Sequence, residues 1–236
     1  MNALVLDVGS SSVKAGFSGQ DAPCAVFDSA AVYTTSSGSI TGDAVHCYRD
    51  NAQVKTPWAN GDISDWDTLE TLLDHAFSSA LRVDPANHAL LMTEPAWLTK
   101  GSREKLSELL FEKYQVPALY LAKAPVLSAF ASGRSTALVL DMGASSSTVT
   151  PVYDGYILRK GDSIQVQHKG GDYLSDQTIA LLNDLRVPLT PQYKVKSKLP
   201  VDQGAPPNFT PHPRRSSPHP SFHRLQLMVL PSFSKS

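Results

Sequence analysis

Apolar residues along this chain fall in short blocks, and one block occurs twice. Ala3-Leu4-Val5-Leu6 is closed by Asp7 and Gly9, and Ala137-Leu138-Val139-Leu140 is closed by Asp141 and Gly143. A row of small hydroxylated residues follows each, Ser10 to Ser12 in the first copy and Ser145 to Thr148 in the second. A short apolar run ended by turn residues predicts a buried strand opening into a tight hairpin. One Asp-x-Gly turn alone is ordinary at any hairpin. An identical strand and turn repeated at a distance is architecture, and predicts two related halves.

Between the copies the apolar residues take up helical spacing. Ser64 and Asp65 open a helix carrying Trp66, Leu69, Leu72, Leu73, Ala76, Phe77 and Leu81 at three- and four-residue spacing, a core stripe. Asp84-Pro85 breaks it, and Ala89 to Thr93 reads as a buried strand. Thr99 or Ser102 caps a second helix with Leu106, Leu109, Leu110 and Tyr114, and Pro117 introduces a strand at Ala118 to Leu121. Pro125 suits the first turn of a short helix that Gly133 ends. Strands alternating with amphipathic helices predict an α/β domain with parallel pairing.

After the second copy, Thr148 to Val152 and Tyr156 to Arg159 flank the hairpin signal Asp154-Gly155. Gly170-Gly171-Asp172 then precedes a helix with Leu174, Ile179, Leu182 and Leu185. Residues 29 to 60 are rich in Ser, Thr, Gly and Asn and predict a small, mobile, loosely packed lobe. The domains expected are 1–134, containing that lobe, and 135–187, the start of a second domain. Residues 188–210 form an extension. Residues 211–236, proline-rich and of low complexity at first, are expected to be an unrelated, disordered tail in which His212, His219 and His223 are solvated rather than metal-bound.

Composition narrows the partners more than the fold. The 236 residues are 42% hydrophobic, enough for a sizeable core, and the formal net charge of −1 argues against binding nucleic acid or an anionic membrane through overall charge. No direct, sequence-specific nucleic-acid contact and no membrane are expected. Two cysteines, Cys24 and Cys47, are too few for a disulfide scaffold, so a reducing compartment, cytosol or nucleus, is the expectation.

The candidate chemistry lies in the two hairpins. Successive N–H groups of such a turn can face one concavity that suits phosphate, while Asp7 and Asp141 stand at the mouths to hold a water or a cation. Lys14, on the return strand, is placed to give a point charge to a β- or γ-phosphate.

Val13 to Phe27 resembles the opening of actin, and Leu91-Met92-Thr93-Glu94-Pro95, Arg103-Glu104-Lys105 and Val126 to Arg134 resemble later actin signatures. The resemblance covers residues 3 to about 185. It implies the fold shared by actin, Hsp-seventy and the sugar kinases, in which two related domains clasp ATP and a divalent ion between paired phosphate loops. Within the family, the runs Arg103 to Tyr114, Val152 to Leu158, Pro191 to Lys198 and Gly204 to Phe209 are similar to the nuclear actin-related class of chromatin-remodelling and histone acetyltransferase complexes.

Carried over position by position, the resemblance makes Asp7, Gly9, Ser10, Ser12 and Lys14 the first phosphate loop and Asp141 and Gly143 the second. Gly170, Gly171 and Asp172 become a glycine turn beneath the nucleotide, and Asp7 and Asp141 hold Mg2+ through water. Three positions depart from actin. The glutamine that orients the attacking water falls at Ala124, the second-loop aspartate at Ala144 and a histidine near that water at Thr148. An alanine side chain neither donates nor accepts a hydrogen bond, so ATP hydrolysis is expected to be weak or absent even with nucleotide bound.

The resemblance ends early in the second domain, whereas the family continues. The fold is therefore expected to be incomplete at its C-terminal side, with ATP affinity weakened. The function implied is that of a nucleotide-binding, non-hydrolysing structural subunit of a nuclear chromatin complex. Its implied partners are actin, a helical segment of a remodeller motor and other subunits of the complex. Nuclear residence follows, with the cytoplasm as the other compartment. The alternatives are a cytoskeletal filament ATPase, a small-molecule kinase of the same superfamily, and a truncated product without function.

Overall fold

Four consecutive apolar residues leave water by pairing. In the computed structural model, which describes residues 2–34, 38–159, 163–187, 189–202, 204, 208–212 and 219–228, β1 (Leu4–Val8) returns as β2 (Ser12–Phe17) in an antiparallel hairpin, and β3 (Ala25–Asp28) continues from β2. The chain then makes a three-stranded lobe of β4 (Ala31–Thr34), β5 (Gly38–Ile40) and β6 (Gln53–Lys55). A small hairpin of β7 (Trp58–Ala59) and β8 (Asp62–Ile63) leads to α1 (Trp66–Asp74), which continues as a wider π-helical segment, His75–Leu81.

β9 (Leu90–Glu94), α2 (Lys100–Glu112), β10 (Leu119–Lys123) and α3 (Ala124–Ala131) complete the first half. The sheet order is β10-β9-β1-β2-β3, with β9 parallel to both β1 and β10. This is the parallel pairing that the strand and helix alternation predicts. Local chemistry fixes the helix starts where expected. Asp65 accepts the Thr68 N–H at 3.0 Å to open α1, and Thr99 Oγ1 accepts the Ser102 N–H at 3.2 Å to open α2; such caps are worth about 1 kcal/mol each. Leu69, Leu72, Leu73 and Phe77 of the first helix and Leu106 and Leu110 of the second then close one core with Leu4, Leu6, Leu90 and Met92.

The second half repeats the opening move. β11 (Ala137–Met142) and β12 (Ser147–Tyr153) form an antiparallel hairpin, with β13 (Tyr156–Ile157) and β14 (Gln165–Gln167) on β12, followed by α4 (Gly171–Asp184). Asp154 and Gly155 turn the chain between β12 and β13 with φ of 48° and 77°, the left-handed pair that a two-residue hairpin demands. Beyond this lie the hairpin of β15 (Val195–Leu199) and β16 (Asn208–Pro211) and a last helix, α5 (Pro220–Met228).

Two expectations are corrected. The lobe at 29–60 is not loosely packed: Ala30, Val32, Val45 and Ala52 form a small core with Tyr193 and Phe222. Tyr48 stacks on Tyr193 with ring centroids 5.4 Å apart. The lobe's own sequence is poor in large apolar residues because two of its core rings come from far down the chain. For the same reason the tail is not disordered throughout. α5 carries the fully buried Phe222 into the lobe, Ser221 Oγ accepts the Val54 N–H at 3.0 Å, and Arg224 pairs with Asp176 of α4 at 2.7 Å. The rest of the proline-rich run, 213–218, and residues 229–236 lie outside the described residues.

Candidate functional site

The two hairpin turns are built by the same bond. Gly9 N–H donates to Ser12 O at 3.0 Å, and Gly143 N–H donates to Ser146 O at 2.9 Å. The loops face each other and touch: Ser145 N–H donates to Ser10 Oγ at 3.3 Å across the gap between the halves. Between them opens a cavity of about 310 Å³, at the small end of the range for ligand pockets. Asp7, Gly9, Ser10, Ser12 and Lys14 line it from one side and Asp141 and Gly143 from the other. Ala124, Ala144 and Thr148 line it too, so the three positions where polar residues are missing or changed also face this space.

The two aspartates differ in their surroundings. Asp7 accepts from Lys14 Nζ at 3.0 Å and from Thr93 Oγ1 at 2.5 Å. Lys14 thus lines the cavity already paired with a carboxylate. Asp141 is exposed and makes no side-chain hydrogen bond or ion pair among the described residues. Among those residues no group of three or more His, Cys, Asp or Glu side chains could hold a metal ion. Two carboxylates facing one cavity fit a hydrated divalent ion whose other ligands come from water and phosphate, the arrangement Mg2+ favours.

Gly170 and Gly171 are not in the cavity wall. They sit beneath the second hairpin, where Gly171 N–H donates to Gly143 O at 3.0 Å and Asp172 N–H to Ala144 O at 2.9 Å. A Cβ on Gly170 would lie 2.4 Å from both Gly143 O and Ala144 O, so only glycine permits this approach. The start of α4 therefore holds the second loop. Burial raises the pKa of Asp172 above the usual carboxylate value, with Arg224 opposing.

Sequence reasoning gave no site role to Thr93, Glu94, Trp58, Gly61 or Trp97, all in the wall. Thr93 and Glu94 end β9, the strand parallel to β1, and ligands of α/β sheets gather beyond the carboxyl ends of such strands. That position was the available signal. Trp97 Nε1–H donates to Gly61 O at 2.9 Å, tying the β7–β8 hairpin to the chain beyond β9.

Glu94 is buried, with Lys123 Nζ 2.9 Å from Oε1 and Arg103 Nε 3.5 Å from Oε2. Lys123 Nζ also donates to Pro95 O at 3.2 Å. Burial lowers the Lys123 pKa; Glu94 opposes that, and Arg159 and Arg103 add to it. Arg159, from beyond β13, donates to Ala96 O at 3.2 Å, so both halves contribute to the packing behind the cavity. A buried carboxylate thus lies between two cations in this wall.

A family model described as Actin matches residues 1–232. The chain is 38% identical over 235 residues to actin-related protein 4 of Arabidopsis thaliana, covering 84% of this chain and 52% of that protein. It is 36% identical over 229 residues to actin-related protein 4 of Schizosaccharomyces pombe, covering 96% of this chain and 52% of that one. It is also 33% identical over 204 residues to the SWI/SNF and RSC complexes subunit arp42 of the same yeast, covering 83% and 47%. The chain spans about half the length of these curated relatives.

Proposed function

The chain belongs to the actin family, and from that premise we propose that it is a nucleotide-binding, non-hydrolysing structural subunit of nuclear chromatin-remodelling or histone acetyltransferase assemblies. One observation carries the reading: both hairpin loops open on a single cavity in which positions 124, 144 and 148 are Ala, Ala and Thr. Ser10, Ser12 and Lys14 would hold the phosphates from one side and Gly143 from the other, with Asp7 and Asp141 holding Mg2+ through water. If bound, Mg-ATP would supply phosphate charge and a divalent cation to these groups. The alanines remove from positions 124 and 144 any side chain that could orient an attacking water, and phosphoryl transfer to water depends on that orientation.

The chromatin assignment rests on likeness to relatives named actin-related protein 4 and SWI/SNF and RSC complexes subunit arp42. In such an assembly the chain would sit beside actin on a helical segment of the motor subunit. Among the described residues no helix is long and apolar enough to cross a membrane.

Thermal unfolding with and without Mg-ATP, run beside a phosphate-release assay, tests the nucleotide reading. A ligand that binds only the folded chain must raise its melting temperature, so an upward shift with release at the buffer background is expected. A melt indifferent to nucleotide would overturn binding, and steady release at actin-like rates would overturn the structural role. Retention of the chain on an immobilised motor helix tests the partner.

A further inference from the structure

One short helix touches both halves of the molecule. α5 turns Phe222 and Leu225, three residues apart, to the core of the lobe, where Phe222 is fully buried. β6 is an edge strand of that lobe, and Ser221 Oγ accepts its Val54 N–H at 3.0 Å. On its other side α5 reaches the second half: Arg224 donates to Asp176 Oδ2 at 2.7 Å. Burial raises the pKa of Asp172 and the Arg224 charge opposes it, so one cation acts on two carboxylates a turn apart at the start of α4. That same turn holds the second hairpin, through Gly171 N–H on Gly143 O and Asp172 N–H on Ala144 O.

The two attachments are unequal. On the lobe, α5 buries a whole aromatic side chain and satisfies a backbone donor, both of which favour staying docked. On α4 it makes an ion pair whose side chains are 58% and 46% exposed, a contact that water and salt weaken. We propose that α5 is a salt-sensitive catch: anchored in the lobe, it closes through Arg224 on the acidic start of α4 and so steadies the second hairpin loop that α4 supports. The catch opens at Arg224 and leaves the helix on the lobe. The lobe and the second loop are thereby coupled through one helix, one ion pair and two backbone hydrogen bonds. Nothing in the coupling requires a bound nucleotide, so it is independent of the nucleotide reading.

Amide hydrogen exchange of the full chain, resolved by residue with NMR, reads both ends of the catch. The Val54 N–H reports the attachment to the lobe, and the Gly171 and Asp172 N–H groups report the support of the loop. Arg224→Gln should speed exchange at Gly171 and Asp172 about two- to fivefold, the range set by a half-exposed ion pair, and leave Val54 as it was. Raising the salt to about 0.5 M should do the same to the parent chain and nothing further to the variant. The charge-exchanged pair Arg224→Asp, Asp176→Arg should recover most of the lost protection. Loop amides indifferent to Arg224→Gln, or a salt response equal in parent and variant, overturn the proposal. Faster exchange that spreads to Val54 does so as well, because the ion pair would then be holding the helix on the lobe. Failure of the exchanged pair to recover protection would assign the effect to the packing of Arg224 and overturn the role of charge.

Discussion

The hairpin at Asp7 and the hairpin at Asp141 start from almost the same residues and finish in different places. Both make the same turn bond, from glycine N–H to the carbonyl three residues on. Beyond that bond they part. The first strand lies inside a sheet under two helices, and its aspartate is held by Lys14 and Thr93. The second is an edge strand with its apolar face in solvent and its aspartate unheld among the described residues. Local sequence sets a turn; burial and charge partners come from chain that folds onto it later.

Substituting one leucine at equivalent places tests that difference most strongly. Leu6→Ala removes a fully buried side chain from the main core and should cost about 4 kcal/mol, transfer and cavity terms together. Leu140→Ala, at the matching position of the second copy, should change stability by no more than about 0.5 kcal/mol. Urea denaturation of both variants decides it, and equal losses would mean that β11 is covered in solution.

Charge gives the next largest contrast. Glu94 ends β9, the strand beside β1, and among the described residues β11 has no such neighbour. Glu94→Leu strands Lys123 without its counter-ion, and breaking a buried pair from one side costs about 3 to 5 kcal/mol. The lower figure is expected because Lys123 keeps its bond to Pro95 O. Adding Lys123→Met should recover most of the loss. A double variant no better than the single would show that Glu94 acts through packing rather than charge.

A smaller effect separates the two aspartates. Thr93→Val removes the hydroxyl that donates to Asp7 and should cost about 1.5 kcal/mol, as for a hydrogen bond to a charged group. Asp141→Asn, with no side-chain partner to lose among the described residues, should leave the stability within about 0.5 kcal/mol of the parent. A large loss at Asp141 would reveal a contact that the second hairpin makes in solution.

The first half was legible because its elements announce themselves locally. The helix stripes, the Asp65 and Thr99 caps and the Asp154-Gly155 turn each follow from residues within a few positions. The lobe and the tail were misread because their order is shared: Tyr193 and Phe222 complete a core begun by Val32 and Val45, and no local window contains both. In the site, the residues of the repeat announce themselves by repetition. Thr93 and Trp97 reach the cavity only because β9 lies next to β1, a pairing between segments some eighty residues apart. Gly170 looked like a nucleotide contact, yet it packs against the second loop's backbone, a distinction that composition does not carry.

The last contrast is pH-dependent and confined to the first half. His75 lies against Phe27, ring centroids 4.7 Å apart, and close to Gly42, where a Cβ would stand 2.9 Å from Nε2. Burial lowers its pKa below the ordinary 6.5, with Asp43 opposing. The unfolded chain therefore takes up a proton near pH 6.5 that the folded chain accepts only at lower pH. The stability this provides is fully present above pH 6.5 and is lost as pH falls through the folded value, at no more than about 1.4 kcal/mol per pH unit for one proton. His75→Phe keeps a ring against Phe27 and should flatten the profile of urea midpoint against pH below 6.5. A profile unchanged by His75→Phe would place the acid sensitivity outside the seam between the lobe and the first helix.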